Sequence, residues 1–159
     1  MEIANEQRVL AIHATSRGFG YAVMENDETL LDWGVIELHK NYSRSSVMSS
    51  LAKLQERYRP TVIVVKAMSD ISDKRKRALK FLKSLTNTKM AVHLAEVSNY
   101  RLSKAFPDAK NKYDRAKEIC SKFSFLLSSL PDRRLFYQSE NYRMAYFDAI
   151  SLGIAFYIT

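Results

Sequence analysis

The sequence predicts a single α/β domain over residues 1–159, built on a five-stranded mixed sheet, an antiparallel meander of three strands then two parallel strands, flanked by helices. Three observations predict it. Arg8 to Leu38 divides into three consecutive strand-like runs joined by tight turns. From Ser43 onward, segments of helical period alternate with short β-branched runs, the pattern of crossover connections. Finally, 159 residues at 47% hydrophobic are enough for one core that buries roughly two thirds of the surface the unfolded chain exposes.

Val9 to Ile12 is a continuous apolar run, the mark of a strand buried on both faces. Gly18 and Gly20 open the second run, Phe19 to Met24. The polar loop Glu25-Asn26-Asp27-Glu28 separates it from the third, Thr29 to Leu38. Val47, Leu51, Leu54 and Tyr58 are spaced four, three and four, so Ser43 to Tyr58 is an amphipathic helix, stopped before Pro60. Thr61 to Val65 is a β-branched run suited to the centre of a parallel sheet. Strand, helix and strand in that order imply a right-handed crossover.

Ala78, Phe81, Leu82 and Leu85 set a helical period over Asp73 to Leu85, with basic residues on the opposite face. Met90 to Val97 reads as the fifth strand, and residues 98–106 as a short helix closed by Pro107. The longest periodic segment runs from Tyr113 through Ala116, Ile119, Cys120, Phe123, Leu126 and Leu127 to Leu130, a helix ending at Pro131. Ser139 to Ile158 is the last helix, capped by Ser139 with Glu140 in its first turn. Beyond Tyr146 it is apolar on nearly every side, apart from Asp148, so it is expected to lie buried against the sheet.

The segment AIHATSRGFGYAV resembles, without a gap, the first-strand motif of the RuvC-type Holliday-junction resolvases, a branch of the RNase H-like nucleases. Ile12, Ser16, Arg17, Gly20, Tyr21 and Val23 stand at the family's places, and Gly34-Val35-Ile36 is similar to its third-strand ending. The resemblance implies an RNase H-like fold and a metal site built from four acids. Here most of them are replaced. His13 stands where the family has its first metal-binding aspartate, and Lys66 where the fourth strand ends in glutamate. In the last helix, where the family carries two acids three residues apart, Ala145 replaces the first and Asp148 matches the second. Two-metal hydrolysis needs several carboxylates around a pair of ions roughly 4 Å apart. One carboxylate, one imidazole, one ammonium and a methyl group do not supply them, so no metal or other cofactor is expected, with Asp148 a weak candidate ligand. Lys66 is expected to take the lost metal's place by pairing with Asp148, with His13 as a third member, since a buried carboxylate needs a partner.

Charge points to the partner. Twenty-five basic against 17 acidic side chains give a net charge of +8, a field that attracts polyanions. Lys74, Arg75, Lys76 and Arg77, followed by Lys80 and Lys83, place six positive charges in ten residues, and a second basic segment runs from Arg101 to Lys122. By resemblance, the loop and helix start bearing Lys110, Lys112 and Arg115 lie near the DNA backbone. With Arg17, Lys74, Arg75, Lys76, Arg77 and Lys80 they form the candidate phosphate-binding set.

Other chemistry is weakly represented. His13, His39 and His93 have no zinc-ligand spacing, and neither a glycine-rich phosphate loop nor a GxSxG elbow is present. Glu96 reads as structural, and Asp70 and Asp73 as residues that begin the basic helix, although they could donate replacement carboxylates. Cys120 reads as a buried thiol, which with the lack of an apolar leader or a long apolar stretch fits a reducing cytoplasm. Three functions follow: a catalytically degenerate relative of the resolvases that binds branched or duplex DNA; an active structure-selective endonuclease using Mg²⁺ or Mn²⁺ at a rearranged site; or a pseudoenzyme that binds another protein. The resemblance also implies a homodimer.

Overall fold

The computed structural model describes residues 7–15, 18–37, 44–67, 69, 76, 80, 83, 92–133 and 141–159. Strands β1 (Val9–Thr15), β2 (Gly18–Asn26) and β3 (Thr29–Glu37) form the meander. Helix α1 (Arg44–Tyr58) crosses to β4 (Val62–Lys66), and β5 (His93–Val97) follows. Strand order is β3-β2-β1-β4-β5, with β1 antiparallel to β2 and parallel to β4. This is the expected mixed sheet. The β2–β3 hairpin turns more tightly than the four-residue loop expected: the strands extend to Asn26 and Thr29, and the Asn26 Oδ1 accepts the Glu28 amide at 2.8 Å.

Strand alternation sends the central residues to two cores. Leu10, Ile12, Phe19, Val23, Ile63 and Val65 pack with Val47, Leu51 and Leu54 of α1 on one face. Val9, Ala11, Ala22, Met24, Val62 and Val64 face the other, where three further helices lie: α2 (Asn99–Ala105), α3 (Lys112–Lys122) and α4 (Met144–Ile158). Among the described residues, no helix is long and apolar enough to cross a membrane. Cys120 is buried as expected, and burial pushes its thiol pKa up.

Two helix boundaries differ from the sequence pattern. The period over Tyr113 to Leu130 does not make one helix: α3 stops at Lys122, Phe123 leaves helical geometry, and a 3₁₀ helix, Ser124–Ser129, completes the segment. The break turns Leu127 and Phe125 outward while Leu126 stays fully buried, and Phe125 settles on Trp33 of β3 at a ring-centroid distance of 5.1 Å. A 3₁₀ segment has three residues per turn, so the helical period is lost there. The last helix begins at Met144, with Arg143 as its cap residue and no side-chain cap. Asn141 shapes its approach, accepting the Arg143 amide at its side chain and the Met144 amide at its carbonyl. Ser139 and Glu140, the expected cap, lie outside the described residues, as do Ser16, Arg17, Leu38 and most of the expected 73–85 helix, of which Lys76, Lys80 and Lys83 are described as helical.

On the α1 face, the Tyr58 hydroxyl donates to Asp32 Oδ2 at 2.7 Å, and Tyr21 shares this surroundings. Burial first, then the Asp32 charge, pushes the Tyr21 pKa up to about 12. A raised folded pKa means that neutral Tyr21 stabilises the fold fully below its ordinary 10.0, and that this contribution is lost as pH rises to about 12. Denaturant midpoints are therefore expected to fall across that window, and Tyr21→Phe to flatten part of the fall.

Candidate functional site

Alternation along β1 puts His13 on the same face as Val9 and Ala11, and along β4 puts Lys66 on the face of Val62 and Val64. Both therefore emerge at the carboxyl ends of neighbouring parallel strands, under α4. This is the crevice position where open α/β sheets commonly bind ligands. Helix α4 lies close enough to the sheet to meet it backbone to backbone. A Cβ on Gly20, the cross-strand partner of His13, would fall 2.2 Å from the carbonyl carbon and oxygen of Ala145. That contact seats the first turn of α4 and carries Asp148, one turn later, over the end of β1.

Asp148 is 7% exposed. Its Oδ2 stands 3.4 Å from His13 Nε2 and 3.4 Å from Lys112 Nζ. The charges of Arg115, next to Lys112 on α3, and of Lys66 also act on it. Burial raises the Asp148 pKa, while Lys112, Arg115 and Lys66 oppose that rise. Desolvation wins: the carboxyl is held above its ordinary range even among three cations. Lys112 is an ammonium in contact with Asp148 that the sequence reading, which named Lys66 and His13 as its partners, did not expect. The charge of Lys66 also acts on the carboxyl. Helix α3 packs on α4, and from its first turn a long side chain reaches the carboxylate.

The two groups of candidates picked out separately in the sequence meet in one place. His13, Lys66, Ala145 and Asp148, the positions to which the resemblance assigns acids, lie close to Lys112 and Arg115 from the candidate phosphate-binding set. Lys110 and Lys80 are exposed and Lys76 is half-buried. Arg17, Lys74, Arg75 and Arg77 lie outside the described residues, together with Asp70 and Asp73. Glu96 turns to the opposite side of β5 from Val97 and ion-pairs with Lys83, in keeping with a structural role.

The sequence missed the wall of the site. A cavity of about 320 Å³ opens beside Lys112, between the approaches to α3 and α4, lined also by Asn111, Asp132, Arg133 and Asn141. Arg133 had a faint signal in its charge after Pro131, whereas the two asparagines had none. Arg115 Nε is buried and makes no hydrogen bond.

This donor set does not fit a pair of divalent ions. Mg²⁺ and Mn²⁺ want several anionic oxygens, and here the carboxylate of Asp148 already has an ammonium against it and two further cations nearby. Among the described residues no group of three or more His, Cys, Asp or Glu side chains is placed to hold a metal.

This strand order, with helices on both faces of the sheet, is an RNase H-like fold. Solved structures agree. RuvC of T. thermophilus, in complex with a Holliday junction substrate, superposes over 93% of this chain and 91% of its own at TM-score 0.62, with 14% identity. The Fowlpox virus resolvase in complex with Holliday junction DNA covers 94% and 97% at TM-score 0.57 and 15% identity. The Fowlpox virus Holliday junction resolvase covers 94% and 96% at TM-score 0.53 and 14% identity. No protein-family model matches the sequence, and no curated protein matches it. What these structures share with this chain is the fold.

Proposed function

We propose that this chain is a nucleic-acid-binding protein that engages branched or duplex DNA through its phosphates and has lost the two-metal cleavage chemistry of the resolvases it resembles in fold. The observation that carries the proposal is the exchange of charge at the crevice. Where a two-metal nuclease needs a cluster of carboxylates, this chain gathers Lys112, Arg115, Lys66 and His13 around one buried aspartate. An anionic site that holds cations has become a cationic site suited to anions. The two solved neighbours bound to Holliday junctions favour DNA as the anion, and a net charge of +8 supplies the long-range attraction. We further propose that the protein acts as a homodimer, which would present two such crevices to a symmetric junction.

The test is a binding and cleavage assay on a labelled four-way DNA junction beside a linear duplex, with and without Mg²⁺ or Mn²⁺, over a salt series. Binding is expected to weaken steeply between low and physiological salt, with no cleavage products in either metal. Absence of binding at low salt would refute the proposal.

A further inference from the structure

We propose that the cavity between the approaches to α3 and α4 takes an unpaired guanine base of the bound DNA, with Tyr113 as the surface it stacks on and Asp132 as the acceptor that reads its edge. This deepens the nucleic-acid-binding function and rests on it.

The cavity has an apolar interior and a polar mouth. Pro131 and Met144, both buried, line its inner part with the half-buried Tyr113. Asn111, Asp132, Arg133 and Asn141 are exposed and stand at the opening. The volume of about 320 Å³ lies at the small end of ligand pockets, which run from roughly 300 to 1,000 Å³. An aromatic ring beside aliphatic side chains, with hydrogen-bonding groups around them, suits a base taken out of its stack, which packs by its face and is read along its edge. Lys112 also lines the cavity, and its ammonium stands 3.4 Å from Asp148, so the cavity adjoins the crevice proposed to meet DNA.

Charge decides between a base and a phosphate. Among the lining side chains Asp132 stands against Arg133, and Lys112 is engaged with Asp148. A mouth so balanced exerts no net pull on an anion, and the Asp132 carboxylate repels one. A base is neutral.

The hydrogen-bonding groups then narrow the choice. Asn111 Oδ1 accepts the Asp114 amide at 2.9 Å, and Asn141 Oδ1 accepts the Arg143 amide at 3.0 Å. Each asparagine is left with its NH₂ as the group to offer a ligand. The cavity thus combines one carboxylate acceptor with amide and guanidinium donors. Guanine matches this set: N1–H and the N2 amino group are adjacent donors that a carboxylate accepts together, while O6 and N7 accept from amide or guanidinium. Adenine and cytosine offer one amino group beside a ring-nitrogen acceptor, and thymine one N–H between two carbonyls. Each would set a lone pair against Asp132.

The test uses the full chain in EDTA and follows fluorescence anisotropy of labelled duplexes that carry one unpaired nucleotide: guanine, adenine, or an abasic site. The guanine duplex is expected to bind about ten-fold more tightly than the abasic one, and about five-fold or more above the adenine one. Asp132→Asn is expected to abolish the preference for guanine over adenine. Because removing an acid strengthens binding to every DNA alike, the ratio between duplexes is the readout. Tyr113→Leu is expected to reduce the advantage of either base over the abasic site. Where Tyr113→Leu impairs folding, Asp132→Asn, on an exposed side chain, decides the matter alone.

Equal binding of the guanine and abasic duplexes by the wild type would overturn the base site and leave DNA binding intact. A guanine preference that survives Asp132→Asn, or no preference for guanine over adenine in the wild type, would also overturn it. No binding of any duplex at low salt would overturn both the base site and the function it rests on.

Discussion

Replacing Gly20 with alanine is expected to cost the chain its stable fold. The added Cβ would stand 2.2 Å from both the carbonyl carbon and the carbonyl oxygen of Ala145 and 2.7 Å from the Tyr146 amide nitrogen. These are backbone atoms at the start of a helix buried along most of its length, so no side chain can rotate away to make room. Either α4 lifts from the sheet, exposing parts of both Phe147 and Ile150, or β2 distorts beside its bulge near Met24. Overpacking of this kind costs about 3 kcal/mol or more. Gly153→Ala is the natural control. There the nearest atom is the flexible Sδ of Met24, and the penalty is expected to be much smaller. Thermal melts of the two variants beside the wild type decide the matter, with a far lower midpoint predicted for Gly20→Ala.

The second large effect is expected from Lys112→Ala. Removing the ammonium 3.4 Å from Asp148 leaves a buried carboxylate with one contacting partner fewer. Stripping one member from a fully buried ion pair costs about 3 to 5 kcal/mol. Since Lys112 is about a third exposed, solvent screens the pair and the expected loss is about 1 to 2 kcal/mol at neutral pH. The sign with pH is fixed by Asp148. Its folded pKa lies above its ordinary 3.8, so its contribution to stability is fully present below that value and is lost as pH rises through the folded pKa. In Lys112→Ala a force that lowers the pKa is gone, and the decline with rising pH is expected to steepen. In Asp148→Asn this part of the pH dependence is expected to vanish, and with it most of the penalty for losing Lys112. A double-mutant cycle of chemical denaturation, run near pH 4 and again at neutral pH, measures both statements.

The sheet was legible because its strands are short runs of Val, Ile and Leu with few ways to be read. Its meander was legible because glycine and polar turn residues fall at the right spacing. The helical interval from Tyr113 to Leu130 misled for a physical reason: apolar residues at Phe123 and Leu126 are spaced three apart, which an α-helix and a 3₁₀ helix accommodate alike. The start of α4 at Met144 is set by Asn141 and the local turn, which a capping pattern at Ser139 could not reveal.

At the site, His13, Lys66, Ala145 and Asp148 stood out because a family resemblance assigned acids to their places. Their proximity required the fold. Lys112 and Arg115 were visible as basic residues on a helix start, but nothing local says that Lys112 reaches Asp148, 36 positions away in the chain. That contact depends on how α3 packs on α4. The close approach at Gly20 is of the same kind: glycine is readable as a residue that permits contact, but not which helix makes it.

On the proposed function, positive side chains stand at this crevice in the place of metal ions. The most direct measurement is junction binding and cleavage by the wild type beside Asp148→Asn, in EDTA and then in Mg²⁺. Salt-sensitive binding by the wild type, equal in both buffers and without cleavage, is the predicted result. Metal-dependent cleavage by the wild type that Asp148→Asn abolishes would contradict the account.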